Sequence, residues 1–156
     1  MSVLSDGSIR SRLHRDGGLT ISPVESLDAQ LQPASIELRV GSDYKHHASG
    51  AVLDASDVTE GEEVLTIESG EFYHLHSLEE INLPPDLQAE LTGLFSNSSR
   101  GLNVLSGVYD PGWNGYAKVP VVNMSERDIT IRPGQQVFKM VFRELDNPAQ
   151  APYNGD

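Results

Sequence analysis

From Ser35 onward this chain is a succession of short apolar runs separated by Pro, Gly, Asn and Asp, none long enough for an ordinary helix. The runs are Ser35–Val40, Glu63–Ile67, Phe72–Leu78, Ala89–Leu94, Tyr116–Asn123, Asp128–Ile131 and Val137–Phe142. Several alternate apolar with polar, as in Ile36-Glu37-Leu38-Arg39-Val40 and Asp128-Ile129-Thr130-Ile131-Arg132. A period of two puts successive side chains on opposite faces of a strand, so each run can bury one face and wet the other. Regularly spaced short strands with turn signals predict a mainly β sandwich or barrel. The helical period is confined to residues 5–16, where Ser5 or Asp6 can cap, Ile9 and Leu13 share a face, and Gly17-Gly18 stops the helix.

With 156 residues, no internal repeat and no interior linker, the chain reads as one domain, 1–156. Residues 1–17 form an N-terminal helical segment, and 147–156 form a short tail with little to anchor it except Tyr153. The acidic stretch Asp54–Glu63 reads as an exposed loop. The net charge is −12, and only three residues are lysine: Lys45, Lys118 and Lys139. Nucleic acid binding needs clustered Lys and Arg, so neither DNA nor RNA is an expected partner. The lysine shortage and acidic surface point to a halophilic host. There is no cysteine, which excludes disulfides and thiol catalysis. No signal segment and no span of about 20 apolar residues is present, so the expected location is cytoplasmic, or a virion if virus-encoded.

Three clusters could carry chemistry. His74 and His76 share a strand face but lack a third ligand, so no metal site is expected, and the adjacent His46-His47 point apart. Phe95-Ser96-Asn97-Ser98-Ser99-Arg100-Gly101 is either a phosphate-binding turn or a polar loop between strands. A serine nucleophile is not assigned, because no histidine and acid go with it. Asp110, in Gly107-Val108-Tyr109-Asp110-Pro111-Gly112-Trp113-Asn114-Gly115, either orients a water or is a turn aspartate bonded to its own backbone.

Together these segments resemble the superfamily of deoxycytidine-triphosphate deaminases and deoxyuridine triphosphatases. Leu4-Ser5-Asp6 looks like the deaminase N-terminus, and Gln32-Pro33-Ala34-Ser35-Ile36-Glu37-Leu38-Arg39-Val40-Gly41 is similar to the first family motif. Phe72–Glu79 and Leu83-Pro84-Pro85-Asp86-Leu87 match the strand and turn before the second motif. Gly101 to Asp110 has triphosphatase-like spacing, Pro111-Gly112-Trp113 is a deaminase-like ending, and Ile131–Gln136 resembles a later turn. The resemblance implies a distorted jelly-roll β-barrel of dUTPase type with one short N-terminal helix, and a homotrimer with sites between subunits. It assigns Asp110 the role of orienting the attacking water, and assigns nucleotide contacts to Ser96, Ser98, Ser99, Arg100, Gly107, Tyr109 and Gln136.

The chain also departs from the family pattern. Pro120 falls where the deaminases carry a proton-shuttling glutamate, and a proline transfers no proton. Phe95-Ser96-Asn97 lacks the first arginine of the second motif, while Arg100 matches the later one. Glu37 replaces the usual aspartate, and Lys139 stands where the triphosphatases have glutamine. Residues Ala151–Asp156 resemble only the start of the segment that closes over the triphosphate, and a site without that closure excludes water less well. The expectation is therefore a homotrimer that has lost deaminase catalysis and serves as a structural, assembly or binding module. Its partners would be itself, other particle subunits such as those of a decorated virion, or deoxyuridine or deoxycytidine nucleotides. The alternative is an active dUTP diphosphatase using Asp110, the one reading in which Mg²⁺ is a cofactor.

Overall fold

The computed structural model describes residues 2–14, 18–46, 52–54, 65–105 and 107–155, with backbone alone for 43–46 and 52–54. Gly17, His47 and most of the acidic loop expected at 54–63 lie outside the described residues, as do the side chains of Lys45 and His46. The elements in chain order are β1 (Ser2–Val3), α1 (Asp6–Leu13), β2 (Thr20–Ser22), α2 (Leu27–Gln30), β3 (Leu31–Gln32), β4 (Ser35–Arg39), β5 (Asp43–His46), β6 (Val52–Asp54), β7 (Leu65–Ile67), β8 (Phe72–Asn82), β9 (Leu87–Gly93), α3 (Phe95–Ser98), β10 (Leu102–Val104), β11 (Gly107–Tyr109), β12 (Asn114–Asn123), β13 (Ile129–Ile131) and β14 (Gln136–Glu144).

Two six-stranded sheets carry the fold. One runs β11-β9-β14-β4-β3 with β1 added on β14; the other runs β10-β12-β8-β5-β6 with β2 added on β8. A separate ribbon pairs β13 with β7. Among the described residues the sheets do not close into a barrel, and the fold is a distorted jelly roll. Alternation does its expected work: Ile36 and Leu38 from β4, Leu75 from β8, Val119 and Val121 from β12, and Phe138, Met140 and Phe142 from β14 all face one apolar core.

The sequence-derived strand boundaries hold to within a few residues, except that β8 runs on from Leu78 to Asn82. Strands β1, β2, β3, β10 and β11 span two or three residues each, too short for a period to emerge. The N-terminal helix ends at Leu13, earlier than the glycine pair, because the His14 N–H turns back to the Ser11 and Arg12 carbonyls. Ser5 caps it, accepting from the Ser8 N–H at 3.2 Å, and Ile9 is buried beneath it. Arg12 ties the helix to the sheets through Asp86 and Glu144; the hydrogen bonds it donates to the Asp86 carboxylate are the main cause holding its pKa above the ordinary arginine value. Two single-turn helices, α2 and α3, join the one expected helix.

The longest strand contains an irregularity that positions everything near Asp110. Tyr116 pairs with Glu80 but Lys118 pairs with His76, so Ser77, Leu78 and Glu79 together oppose Ala117. Such a bulge breaks the ladder and would strand the Ala117 N–H. The Ser77 hydroxyl takes over, accepting from Ala117 N at 2.9 Å and donating to the Glu79 carbonyl at 2.7 Å. The Glu79 carboxylate turns into the core, where it is 0% exposed. It accepts from Arg39 Nε at 2.8 Å, from the Arg39 backbone N–H at 3.0 Å and from Gln30 Nε2 at 3.0 Å. A buried charge persists only when so paired and bonded.

The tail departs from expectation. The Ala149 N–H donates to the Pro85 carbonyl and the Tyr153 N–H to the Pro111 carbonyl, each at 2.8 Å. Residues 149–153 therefore run as a strap over the turn that follows β11, held by backbone hydrogen bonds as well as by the Tyr153 position.

Candidate nucleotide site

Asp110 opens a type II turn. Proline at the second position and glycine at the third, with Gly112 at φ +91°, are what that turn demands, and the Trp113 N–H closes it on the Asp110 carbonyl at 3.0 Å. Leu83 braces the turn from below, donating to the Trp113 carbonyl at 2.8 Å and accepting from the Gly112 N–H at 3.2 Å. The strap braces it from above: a Cβ on Gly112 would lie 2.7 Å from the Tyr153 carbonyl oxygen and 2.8 Å from Pro152. The Asp110 side chain is exposed, and among the described residues its carboxylate makes no hydrogen bond or ion pair. The self-bonded turn aspartate, one of two readings open from sequence, is not what the geometry presents.

Beside the turn lies a concavity of about 440 Å³ lined by Tyr109, Trp113, Asn114, Gly115, Tyr116 and Lys118. The Tyr109 and Trp113 rings meet with centroids 4.5 Å apart and planes tilted by 55°. The Tyr109 hydroxyl donates to the Lys118 carbonyl at 3.2 Å, and burial raises its pKa above the ordinary phenol value. Gly107 is exposed at the start of β11, opposite Leu91 of β9.

The Ser96–Arg100 loop folds as α3 and the turn after it. Asn97 is buried and accepts from Arg100 Nη2 at 2.9 Å, while the Ser99 hydroxyl donates to the Ser96 carbonyl at 3.0 Å. Ser96 and Ser98 are exposed, and so is Arg100 beyond its bond to Asn97. None of the concavities described is lined by both this loop and the Asp110 turn. Gln136 lies elsewhere, in a concavity of about 450 Å³ with Glu25, Gln30 and Arg39, where it donates to the Ala29 carbonyl at 3.2 Å. A single chain thus brings Gly107, Tyr109 and Asp110 together and leaves Ser96–Arg100 and Gln136 apart from them.

Two departures from the family pattern turn out to be neighbours: Glu37 and Lys139 are directly opposed in the β4–β14 ladder. Opposite charges across strands support each other, so the exchange at one position suits the exchange at the other. Pro120 lies on the outer face of β12, opposite His74. Its ring removes an N–H just where β10 ends, leaving the Leu105 N–H to Pro120 carbonyl bond of 2.9 Å as the last contact. A strand proline is tolerated at such an edge. Sequence reasoning passed over Lys118, Asn114 and Tyr116, although a lysine is conspicuous in a chain with three. Among the described residues no three His, Asp or Glu side chains converge on a metal position, and no helix is long and apolar enough to cross a membrane.

Comparison with known proteins agrees with this fold. A family model described as dCTP deaminase-like matches residues 3–145. The chain belongs to the dCTP deaminase-like family. The dCTP deaminase of Halorubrum lacusprofundi is 31% identical over 170 residues, covering 97% of this chain and 81% of that protein. A dCTP deaminase, dUMP-forming, from Methanothermobacter thermautotrophicus is 31% identical over 167 residues, covering 98% and 84%. Among solved structures, the 2′-deoxycytidine 5′-triphosphate deaminase of Agrobacterium tumefaciens superposes with a TM-score of 0.70 at 22% identity, over 91% of this chain and 47% of that one. This chain spans about half the length of that solved protein. The EIAV dUTPase superposes with a TM-score of 0.59 at 18% identity, over 88% of this chain and 98% of that one. These last two similarities are of fold. The named relatives are enzymes, so the expectation of a fold kept without catalysis draws no support from them.

Proposed function

We propose that this chain binds a pyrimidine deoxynucleoside triphosphate and hydrolyses dUTP to dUMP and diphosphate, without deaminating dCTP. The observation that carries this reading is the exposed Asp110 carboxylate, free of bonds within the described chain and clamped on a braced turn beside an aromatic concavity. A carboxylate so held accepts a hydrogen bond from a water and takes its proton as the water attacks. The water oxygen adds to the α-phosphorus, the bond from that phosphorus to the bridging oxygen breaks, and diphosphate leaves with the electron pair. Tyr109 and Trp113 offer ring faces to base and sugar. Ser96, Ser98 and Arg100 offer donors to phosphate oxygens. Because none of the concavities formed by the described residues is lined by both sets, a homotrimer in which one subunit's loop faces another's Asp110 turn completes the site.

Mg²⁺ fits this arrangement in one way. The described residues form no cage of three ligands, and Mg²⁺ commonly keeps its waters and is held through substrate phosphates. There it would neutralise phosphate charge, as a companion of the substrate. Deamination has no such support, because the outward residue at the proton-shuttle position is Pro120.

The test is a product assay with dUTP and dCTP in the presence of Mg²⁺. Wild type is expected to release dUMP and diphosphate from dUTP, leave dCTP unchanged, and lose about 10²–10⁴-fold of its rate in Asp110→Asn. Absence of both turnover and nucleotide binding sinks the proposal. A second reading, a non-catalytic assembly module, draws on the exposed apolar side chains of Phe95, Leu105, Val108 and Met124. Nucleotide binding without turnover, or a larger assembly without nucleotide, would favour it.

A further inference from the structure

The geometry points to Lys118 as the residue that selects a 4-oxo pyrimidine over a 4-amino pyrimidine, an inference resting on the reading of the Tyr109–Trp113 concavity as a nucleotide pocket. Lys118 is exposed on the outer face of β12, immediately after Ala117, which faces the core. Its backbone is fixed from two directions. The Tyr109 hydroxyl holds its carbonyl at 3.2 Å, and the Ser77 hydroxyl holds the preceding N–H at 2.9 Å. The stem therefore leaves the strand at a defined point and enters the concavity shared with Tyr109, Trp113 and Tyr116. No ion pair engages its ammonium among the described residues.

The chemistry of that wall is one-sided. A lysine ammonium carries three donors and no acceptor. Position 4 of uracil presents a carbonyl oxygen, an acceptor that a lysine can engage. Position 4 of cytosine presents an amino group, a donor that meets Lys118 donor to donor. Asn114 lines the same concavity, but its amide offers a donor and an acceptor and can turn to serve either base. Pro120, the next outward residue along the strand, offers neither. Lys118 is thus the charged side chain of the lining set, and with the indole N–H of Trp113 it is one of two donor-only groups there; of the two it is the one on a long stem with three donors. Because Lys118 is exposed, an ammonium facing the cytosine amino group turns to water, so the selection comes from the hydrogen bond gained with uracil.

The experiment is equilibrium binding of the α,β-imido analogues of dUTP and dCTP, which resist hydrolysis, to the full chain by calorimetry. Wild type is expected to prefer the dUTP analogue. Lys118→Met should weaken that analogue by about ten- to a hundredfold, the range for a lost hydrogen bond to a charged group. It should leave the dCTP analogue within about threefold, as for a neutral surface change. Lys118→Arg, also donor-only, should keep the preference. A Lys118→Met variant that weakens both analogues alike makes Lys118 a phosphate contact and overturns the inference, as does a variant that changes neither. If wild type binds neither analogue, the pocket reading itself falls. Both analogues binding with a ratio indifferent to residue 118 removes this inference alone.

Discussion

Gly112 answers two demands at once. Its φ of +91° lies in the left-handed region that L side chains seldom adopt, and the strap leaves no volume for a methyl group, with Pro152 and Tyr153 atoms 2.7–3.0 Å from where a Cβ would stand. Either demand alone would favour glycine. Gly112→Ala must therefore both strain the turn and push residues 152–153 away. The expected cost is about 2 kcal/mol, in the range for a strained backbone position, together with faster proteolysis after residue 148. Chemical denaturation and a timed protease digest would measure the two effects separately. A stable Gly112→Ala protein with an equally protected tail would mean that the strap is not seated on the turn. Asp110 itself was visible from sequence as a turn residue. That its carboxylate is exposed and makes no bond to its own backbone was not, because a Pro-Gly turn permits both arrangements.

At the scale of elements, β8 sets the geometry of its neighbour. The inward residues Ser77 and Glu79 alternate with outward His76, Leu78 and Glu80, so both faces of this stretch are partly polar and periodicity does not say which one is buried. That ambiguity is why the run read from sequence stopped at Leu78, and why the bulge went unseen. β4, with Ile36 and Leu38 inward, has no such ambiguity and was legible at once. Two predictions belong here. Ser77→Ala removes the acceptor for the Ala117 N–H inside the core, and leaving such a donor unpaired costs about 1–3 kcal/mol. The Ala117 amide should then lose hydrogen-exchange protection ahead of the rest of β12. Glu79→Ala takes the buried partner from Arg39 and Gln30 and leaves Arg39 with the exposed Glu25 carboxylate and the Pro23 carbonyl, for an expected loss of about 1–3 kcal/mol in a denaturant titration. A loss below about 1 kcal/mol would place that pair with ordinary surface salt bridges instead.

The whole molecule carries a net charge of −12 over 156 residues, and self-repulsion on that scale works against compactness. Thermal midpoints should rise as NaCl increases from about 10 mM to about 1 M, since the screening length shrinks from about 30 Å to about 3 Å over that range. A flat or falling response would show that paired clusters such as Arg12 with Asp86 and Glu144 outweigh the net field. The fold was legible in the spacing of turn residues, and the family in motifs that run nearly the length of the chain. The candidate site was legible only in part. Lys118 becomes a lining residue because a bulge on β8 and a tyrosine from β11 fix its place, and neither relation leaves a local mark. That no described concavity is lined by both Ser96–Arg100 and the Asp110 turn is likewise invisible to motif spacing, which records order along the chain and not distance across it.

The turn after β11 also contains the protein's one tryptophan, Trp113, packed against Tyr109. Indole emission from this chain therefore has a single origin. Its wavelength responds to the polarity of the concavity, and its intensity to whatever stacks on or quenches the ring. Any change in how the 149–153 strap rests on its neighbour Gly112 would reach the same ring. The protein comes with an optical reporter already built into the wall of the concavity proposed to take a nucleotide, so occupancy of that concavity can be tested in unlabelled protein without attaching a dye.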